Sequence, residues 1–191
     1  MIAIFDRPLI CAALVVSLSL MSGMSAAHAL DSSATPALQQ TIDDVARKWP
    51  AVTHLPAADV AHLMADKTAV LFDVRTPEEF AVSHLEGAVR VDPAIDAAGF
   101  LAQHAALVKG KTAVFYCSVG VRSSKLTARV ADGLKAAGAT SAAELRGGIF
   151  AWGGEGRPLV DAKGGTDKVH GYDSTWGKLV KNPATLETKE R

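Results

Sequence analysis

Cysteine is nearly absent from this chain: there are 2 in 191 residues, Cys11 and Cys117. That scarcity excludes a disulfide framework. Surplus charge is missing as well. Lys and Arg number 20 and so do Asp and Glu, which leaves no electrostatic footprint for nucleic acid or an anionic membrane. No apolar run reaches the roughly 20 residues of a membrane-spanning helix. His54, His62 and His104 lack metal-ligand spacing, so no metal site is expected and they are assigned to surface or helix-face positions. Internal repeats and low-complexity tracts are also wanting. What remains is enough length for one compact domain with a real core.

The longest apolar run, "LICAALVVSLSL" at 9–20, follows Asp6–Arg7 and precedes "AHA" at 27–29. A short apolar run ahead of small residues two apart, Ala27 and Ala29, reads as a secretory leader over 1–29. Cleavage is expected before Leu30, which sends the mature chain to the periplasm or an equivalent exported space with no membrane attachment. Cys11 is a poor lipid-attachment site, because bulky Ile10 precedes it where a small residue is needed. Leader removal leaves Cys117 as the one cysteine, an unpaired thiol kept for its reactivity.

Residues 30–50 form an N-terminal arm, with Leu38, Ile42 and Val45 at helical spacing and Trp49–Pro50 closing it. The domain proper runs over 51–160, and 161–191 is a C-terminal extension. In the domain, "AVTHL", "TAVLFDV" (68–74), "GAVRV", "KTAVFYC" (111–117) and "SAAEL" have strand length and composition. Between them, "PAADVAHLMA", "TPEEFAVSHL", "AIDAAGFLAQHAALV" and "SSKLTARVADGLKAAG" predict helices, the second with Thr76 as N-cap and Pro77 at its first position. Strands alternating with helices predict an α/β fold with a central, mostly parallel, five-stranded sheet and helices on both faces. "RGGIFAWGGEGRPL" reads as a turn and return, and "DAKGGTDK" (161–168) as a loop.

The stretch "VFYCSVGVRSSKL" (114–126) carries the chemistry. Cys117 ends a strand just before a helix, the place where ligands bind in such sheets. Ser118, Val119, Gly120, Val121 and Arg122 can curl so that successive N–H groups and the helix N-terminus point inward. Gly120 supplies the backbone freedom for the curl. Arg122 adds a positive charge, and together these groups favour an anion at the loop centre, the Cys117 thiolate first of all. Asp73 and Arg75 fall at the same rim and are expected to brace the site. His84 is expected to hydrogen-bond between segments, and Phe150 and Trp152 to lie in the core.

Four pieces together resemble the rhodanese-like sulfurtransferases. "LFDVRTPEEF" (71–80) is similar to the family's Asp-x-Arg segment, and "HLEGAVRV" (84–91) to its His-x-Pro-Gly-Ala segment. "YCSVGVRSS" (116–124) resembles the active-site loop, and "LRGGIFAW" (145–152) the Gly-Gly-x-x-x-Trp segment. The resemblance implies a rhodanese fold and a sulfurtransferase in which Cys117 takes sulfane sulfur from a donor such as thiosulfate. It then passes the sulfur, as a persulfide, to a thiol or cyanide. The implied partners are these small molecules and a redox or sulfur-relay protein; no cofactor is implied. Glu86 and Ser83 depart from the usual proline and glycine. Glu79 stands where two-domain thiosulfate sulfurtransferases tend to carry a donor-binding arginine, so repulsion by Glu79 is expected to weaken thiosulfate. "GYDSTW" (171–176) is similar to a short segment of larger sulfurtransferases.

Two other readings compete. A cysteine phosphatase or arsenate reductase also sets a thiolate and an arginine around an anion. Related phosphatases place five residues between them, whereas four intervene here, a ring better matched to one sulfur atom. A non-turnover sulfur carrier or partner-binding module is the other, although domains that have lost catalysis typically lose the cysteine. The leader reading is checked by N-terminal sequencing of the exported protein: the first residue is expected to be Leu30, and a full-length cytoplasmic protein would refute it.

Overall fold

The five apolar runs become strands because each is short, rich in β-branched or aromatic residues and bounded by turn formers. The computed structural model describes residues 34–187; the leader assigned to 1–29 and its cleavage point lie outside them. The strands are β1 (Thr53–Leu55), β2 (Ala69–Asp73), β3 (Val89–Arg90), β4 (Thr112–Tyr116) and β5 (Ser141–Leu145). They form one sheet in the order β1-β5-β4-β2-β3, and every pairing is parallel.

Strand β4 lies at the centre, and its alternation separates two cores. Ala113 and Phe115 face a core with Phe72, Phe100, Leu126, Val130 and Leu134. In it the Phe72 ring lies 5.1 Å from those of both Phe100 and Phe115. Val114 and Tyr116 face the opposite core with Leu38, Ile42, Val60, Leu145 and Ile149.

Helices cover both faces, as the alternating pattern predicts. They are α1 (Pro36–Lys48), α2 (Ala57–Ala65), α3 (Pro77–Val82), α4 (Ala97–His104), α5 (Val121–Ala136) and α6 (Gly148–Gly154). The N-terminal arm is α1, which buries Leu38, Ile42 and Val45. Helix α3 opens with a reciprocal capping box: Thr76 Oγ1 accepts from the Glu79 N–H, and the Glu79 carboxylate accepts from the Thr76 N–H. The helix expected over 94–108 stops at His104 and tightens into a 3-10 turn, Ala105–Val108.

Three sequence expectations are corrected. The "RGGIFAWGGEGRPL" turn contains helix α6, formed because its first N–H groups find carbonyl partners on the Cys117 loop. "DAKGGTDK" is not a loop throughout: β6 (Leu159–Asp161) and β7 (Gly164–Thr166) pair antiparallel, with the Asp161 carboxylate accepting from the Lys163 N–H in the turn. Further along, β8 (Val169–His170) pairs parallel with β9 (Leu186–Glu187). His54 is also not a surface or helix-face residue: it is on β1 against a buried carboxylate, whereas His104 takes the expected helix-face position on α4, packing on the Phe72 and Phe100 rings.

The rim of β2 is held by a buried ion pair. Arg75 donates from Nε and a terminal nitrogen to the two Asp73 oxygens at 2.8 and 2.6 Å, and to the Ser83 carbonyl at 2.6 Å. Both side chains are fully buried, and the guanidinium lies 5.7 Å from the Tyr116 ring. Tyr116 in turn accepts from the Leu85 N–H at 3.1 Å. Removing one partner of such a pair strands the other charge at a cost of about 3–5 kcal/mol. Arg75→Ala is therefore expected to lower unfolding stability by about that much, read from the urea midpoint at constant m-value. A loss below about 1 kcal/mol would refute the bracing role.

Candidate active site

Cys117 follows the last residue of β4, and the chain then curls through Ser118, Val119 and Gly120 into α5. Gly120 has φ +105° and caps the helix, a conformation that L side chains rarely adopt. A Cβ there would stand 2.7 Å from Glu144 Oε1. The curl brings the Gly120 N–H to 3.2 Å from Cys117 Sγ, and the Ser123 hydroxyl to 3.6 Å. Two donors thus converge on a sulfur that is 1% exposed.

The loop is held from outside by α6. The N–H groups of Ile149 and Phe150 donate to the carbonyls of Cys117 and Ser118 at 2.9 and 3.1 Å. Gly148 permits this approach, since a Cβ on it would lie 2.3 Å from the Cys117 carbonyl oxygen.

Arg122 and Glu79 form the main polar contact of the rim. The guanidinium fork donates to both Glu79 oxygens at 2.7 Å, and one of its nitrogens also donates to Ser118 Oγ at 3.0 Å. Ser118 Oγ donates to Glu79 Oε1 at 2.9 Å. Burial pushes the Glu79 carboxyl up. The hydrogen bonds and charge of Arg122 outweigh it, helped by the Thr76 N–H and by Arg75, and bring it down to about 2. For Arg122, burial lowers the guanidinium's pKa, but Glu79 and the nearby Cys117 together raise it above its ordinary value.

This corrects the expectation for Glu79. It is 1% exposed, and both of its oxygens are taken up by Arg122.

The sequence-derived residues divide by position. Cys117, Ser118, Val119, Val121 and Arg122 line one cavity of about 190 Å³. Gly120 contributes its N–H to the sulfur. Asp73 and Arg75 brace the sheet rim. His84 joins two segments: it exchanges backbone hydrogen bonds with Val160, its Nδ1 lies 3.0 Å from the Phe80 carbonyl, and its ring stacks on Phe80. Phe150 and Trp152 lie in the core. Among the described residues, no group of three His, Cys, Asp or Glu could hold a metal ion.

Sequence reasoning missed five residues here, the first being Ser123, whose hydroxyl reaches the sulfur. Tyr172 and Trp176 complete the lining of the Cys117 cavity; their only signal was the short "GYDSTW" likeness. Glu144, fully buried on β5, lies under Gly120 with Oε2 2.7 Å from His54 Nδ1. His54 Nε2 lies 3.2 Å from the Trp49 carbonyl, which can only accept, so Nε2 carries a proton. The Nδ1–Oε2 contact then holds a second proton shared by the pair. Burial raises the Glu144 carboxyl and lowers the His54 imidazole, both of which favour a neutral pair. An acid in an apolar strand was the available signal.

A family model described as "Rhodanese-like domain" matches residues 56–155, just over half of the chain. A "Probable adenylyltransferase/sulfurtransferase" of Mycobacterium tuberculosis is 34% identical over 116 residues, 61% of this chain and 28% of that protein. A "tRNA uridine(34) hydroxylase" of Listeria welshimeri is 30% identical over 103 residues, 53% of this chain and 31% of that protein. The matches span less than a third of these curated relatives. Among solved structures, a thiosulfate sulfurtransferase from Pseudomonas aeruginosa is similar with a TM-score of 0.50 at 20% identity. That match covers 65% of this chain and 23% of that one, and it is a likeness of fold.

The Glu79 carboxyl falls from an ordinary 4.5 to about 2 in the fold, so its contribution is complete above pH 4.5 and lost as pH falls through 2. At 1.36 kcal/mol per unit that contribution is about 3 kcal/mol. Urea unfolding of wild type and Glu79→Gln across pH is expected to show a gap of about that size at pH 7, closing between pH 4.5 and 2. A gap that persists at pH 2 would refute the assignment.

Proposed function

The chain belongs to the rhodanese-like domain family, and from that premise we propose that it is a sulfurtransferase working through a persulfide on Cys117. The observation that carries the reading is Cys117 in the lining of a cavity, with the Gly120 N–H and the Ser123 hydroxyl both directed at its sulfur. Donors so placed stabilise a thiolate before reaction and an anionic persulfide after it.

The thiolate attacks the outer sulfur of the donor. One S–S bond forms on Cys117 while the donor's own bond to that sulfur breaks, and the leaving group takes the electron pair. A thiol or cyanide then attacks the outer sulfur of the persulfide, and Cys117 leaves as thiolate. No electrons are gained or lost overall. Thiosulfate is one such donor, and a redox or sulfur-relay protein is a candidate partner. The sulfurtransferase part of the Mycobacterium tuberculosis relative's name supports the reaction class. The cavity over the sulfur favours turnover with small molecules over a carrier without turnover. Export through the 1–29 leader, with action in the periplasm, belongs to the same reading.

The test is the intact mass of protein incubated with thiosulfate and freed of excess donor. An added mass of one sulfur atom, removed by cyanide with release of thiocyanate, is expected. Cys117→Ser is expected to lose both the adduct and the transfer, because a serine oxygen cannot carry a persulfide. Transfer retained in that variant would overturn the proposal.

A further inference from the structure

The extension beyond the family match builds the outer half of the cavity over Cys117. Tyr172 and Trp176 come from the turn after β8. The Asp173 carboxylate organises that turn by accepting from the N–H groups of Thr175 and Trp176 at 2.8 and 2.9 Å. The Gly177 N–H adds a bond to the Asp173 carbonyl. Tyr172 sits at φ +64°, a conformation uncommon for a residue of its size and found most often where function constrains the chain. Its N–H donates to His170 Nδ1 at 2.9 Å, and its ring, half exposed, stands 5.1 Å from the Arg122 guanidinium. A large exposed aromatic held in a strained conformation beside the reactive sulfur is otherwise unexplained.

Lining and charge agree on what this cavity accepts. Val119, Val121, Tyr172 and Trp176 are largely apolar, and Cys117, Ser118 and Arg122 complete the lining. The single cation, Arg122, is bidentately neutralised by Glu79, and the Ser118 hydroxyl is engaged with both. With Cys117 ionised, the three charged groups sum to one negative charge. A doubly charged inorganic donor therefore meets net repulsion and little to bind. A cavity of about 190 Å³ has room for a ring, since roughly 150 Å³ suffices for benzene in an apolar protein cavity.

We propose that Tyr172 and Trp176 form an aromatic jaw selecting a small organosulfur donor, in which the sulfane sulfur is attached to an apolar or aromatic group and the whole carries one negative charge. This rests on the sulfurtransferase reading and adds the donor class to it. For a thiosulfonate, R–SO2–S⁻, the Cys117 thiolate takes the terminal sulfur as the persulfide and the sulfinate R–SO2⁻ departs with the electron pair of the broken S–S bond. Charge and electrons balance without a co-reactant. Burying ~100 Å² of ring surface corresponds to on the order of 50–100-fold in binding.

The test compares three donors with cyanide as acceptor: thiosulfate, methanethiosulfonate and benzenethiosulfonate. The first pair separates the effect of charge, and the second pair that of the ring. In wild type, kcat/KM is expected to be at least ten-fold higher for benzenethiosulfonate than for methanethiosulfonate, with thiosulfate lowest. Trp176→Ala is expected to remove most of the benzene-over-methane preference through KM, with a larger loss for benzenethiosulfonate than for either other donor. Trp176→Leu, which keeps apolar bulk, serves if the alanine variant does not fold; an intermediate preference is expected. Equal losses for all donors, or a preference for thiosulfate, would overturn the jaw while the persulfide mass adduct still upheld the activity. Absence of an adduct from every donor would refute the activity itself and the jaw with it.

Discussion

The contact on which the site depends is the bidentate pair between Glu79 and Arg122, with Ser118 bonded to both. It joins the first turn of α3 to the first turn of α5 across the mouth of the Cys117 loop. Glu79 caps its own helix with the same carboxylate that receives the guanidinium. One acid therefore fixes a helix start, a loop side chain and a cation. A charge so committed orients the loop more than it attracts ligands, and the Gly120 N–H and the Ser123 hydroxyl supply the hydrogen bonds to the sulfur. Below the loop, the shared proton of Glu144 and His54 keeps a second carboxylate from adding a negative charge there.

This arrangement is layered. The buried Asp73–Arg75 pair sets the end of β2 beside Tyr116, and the parallel register of β2 with β4 places Asp73 opposite Tyr116, one residue before the sulfur. Errors in sheet register would thus reach Cys117 directly. The apolar cores on the two faces make such slips costly, because a one-residue shift would exchange Phe115 and Val114 between them.

Much of this was legible in the sequence, and the parts that were not share a cause. The strands on either side of Cys117 are apolar runs, and Thr76, Pro77 and Glu79 spell a helix start in order. Cys117, Gly120 and Arg122 mark the loop by chemistry that local spacing reveals. Helix α6 was missed because its sequence, "GIFAWGG", is glycine-rich and poor in helix formers; tertiary bonds to the loop carbonyls supply what propensity does not. The β6–β7 hairpin was missed because "GGT" has little strand character of its own. Glu79 was placed correctly but given the wrong partner, since its pairing with Arg122 spans 43 positions. The Glu144–His54 contact spans 90. Contacts of that range leave no periodicity to read.

The approach of Gly148 to the Cys117 carbonyl has a bearing on how such a chain can diverge. Backbone bonds from a helix about thirty residues downstream hold the loop from one side, and the Ser118–Glu79–Arg122 contact holds it from the other. A change at position 121, half-buried in the lining, would retune what enters the cavity while the sulfur stays in register. Position 148 has no such latitude: the first carbon of any side chain would displace the loop. A residue with no functional group thus holds the reactive loop in place by leaving room for its carbonyl.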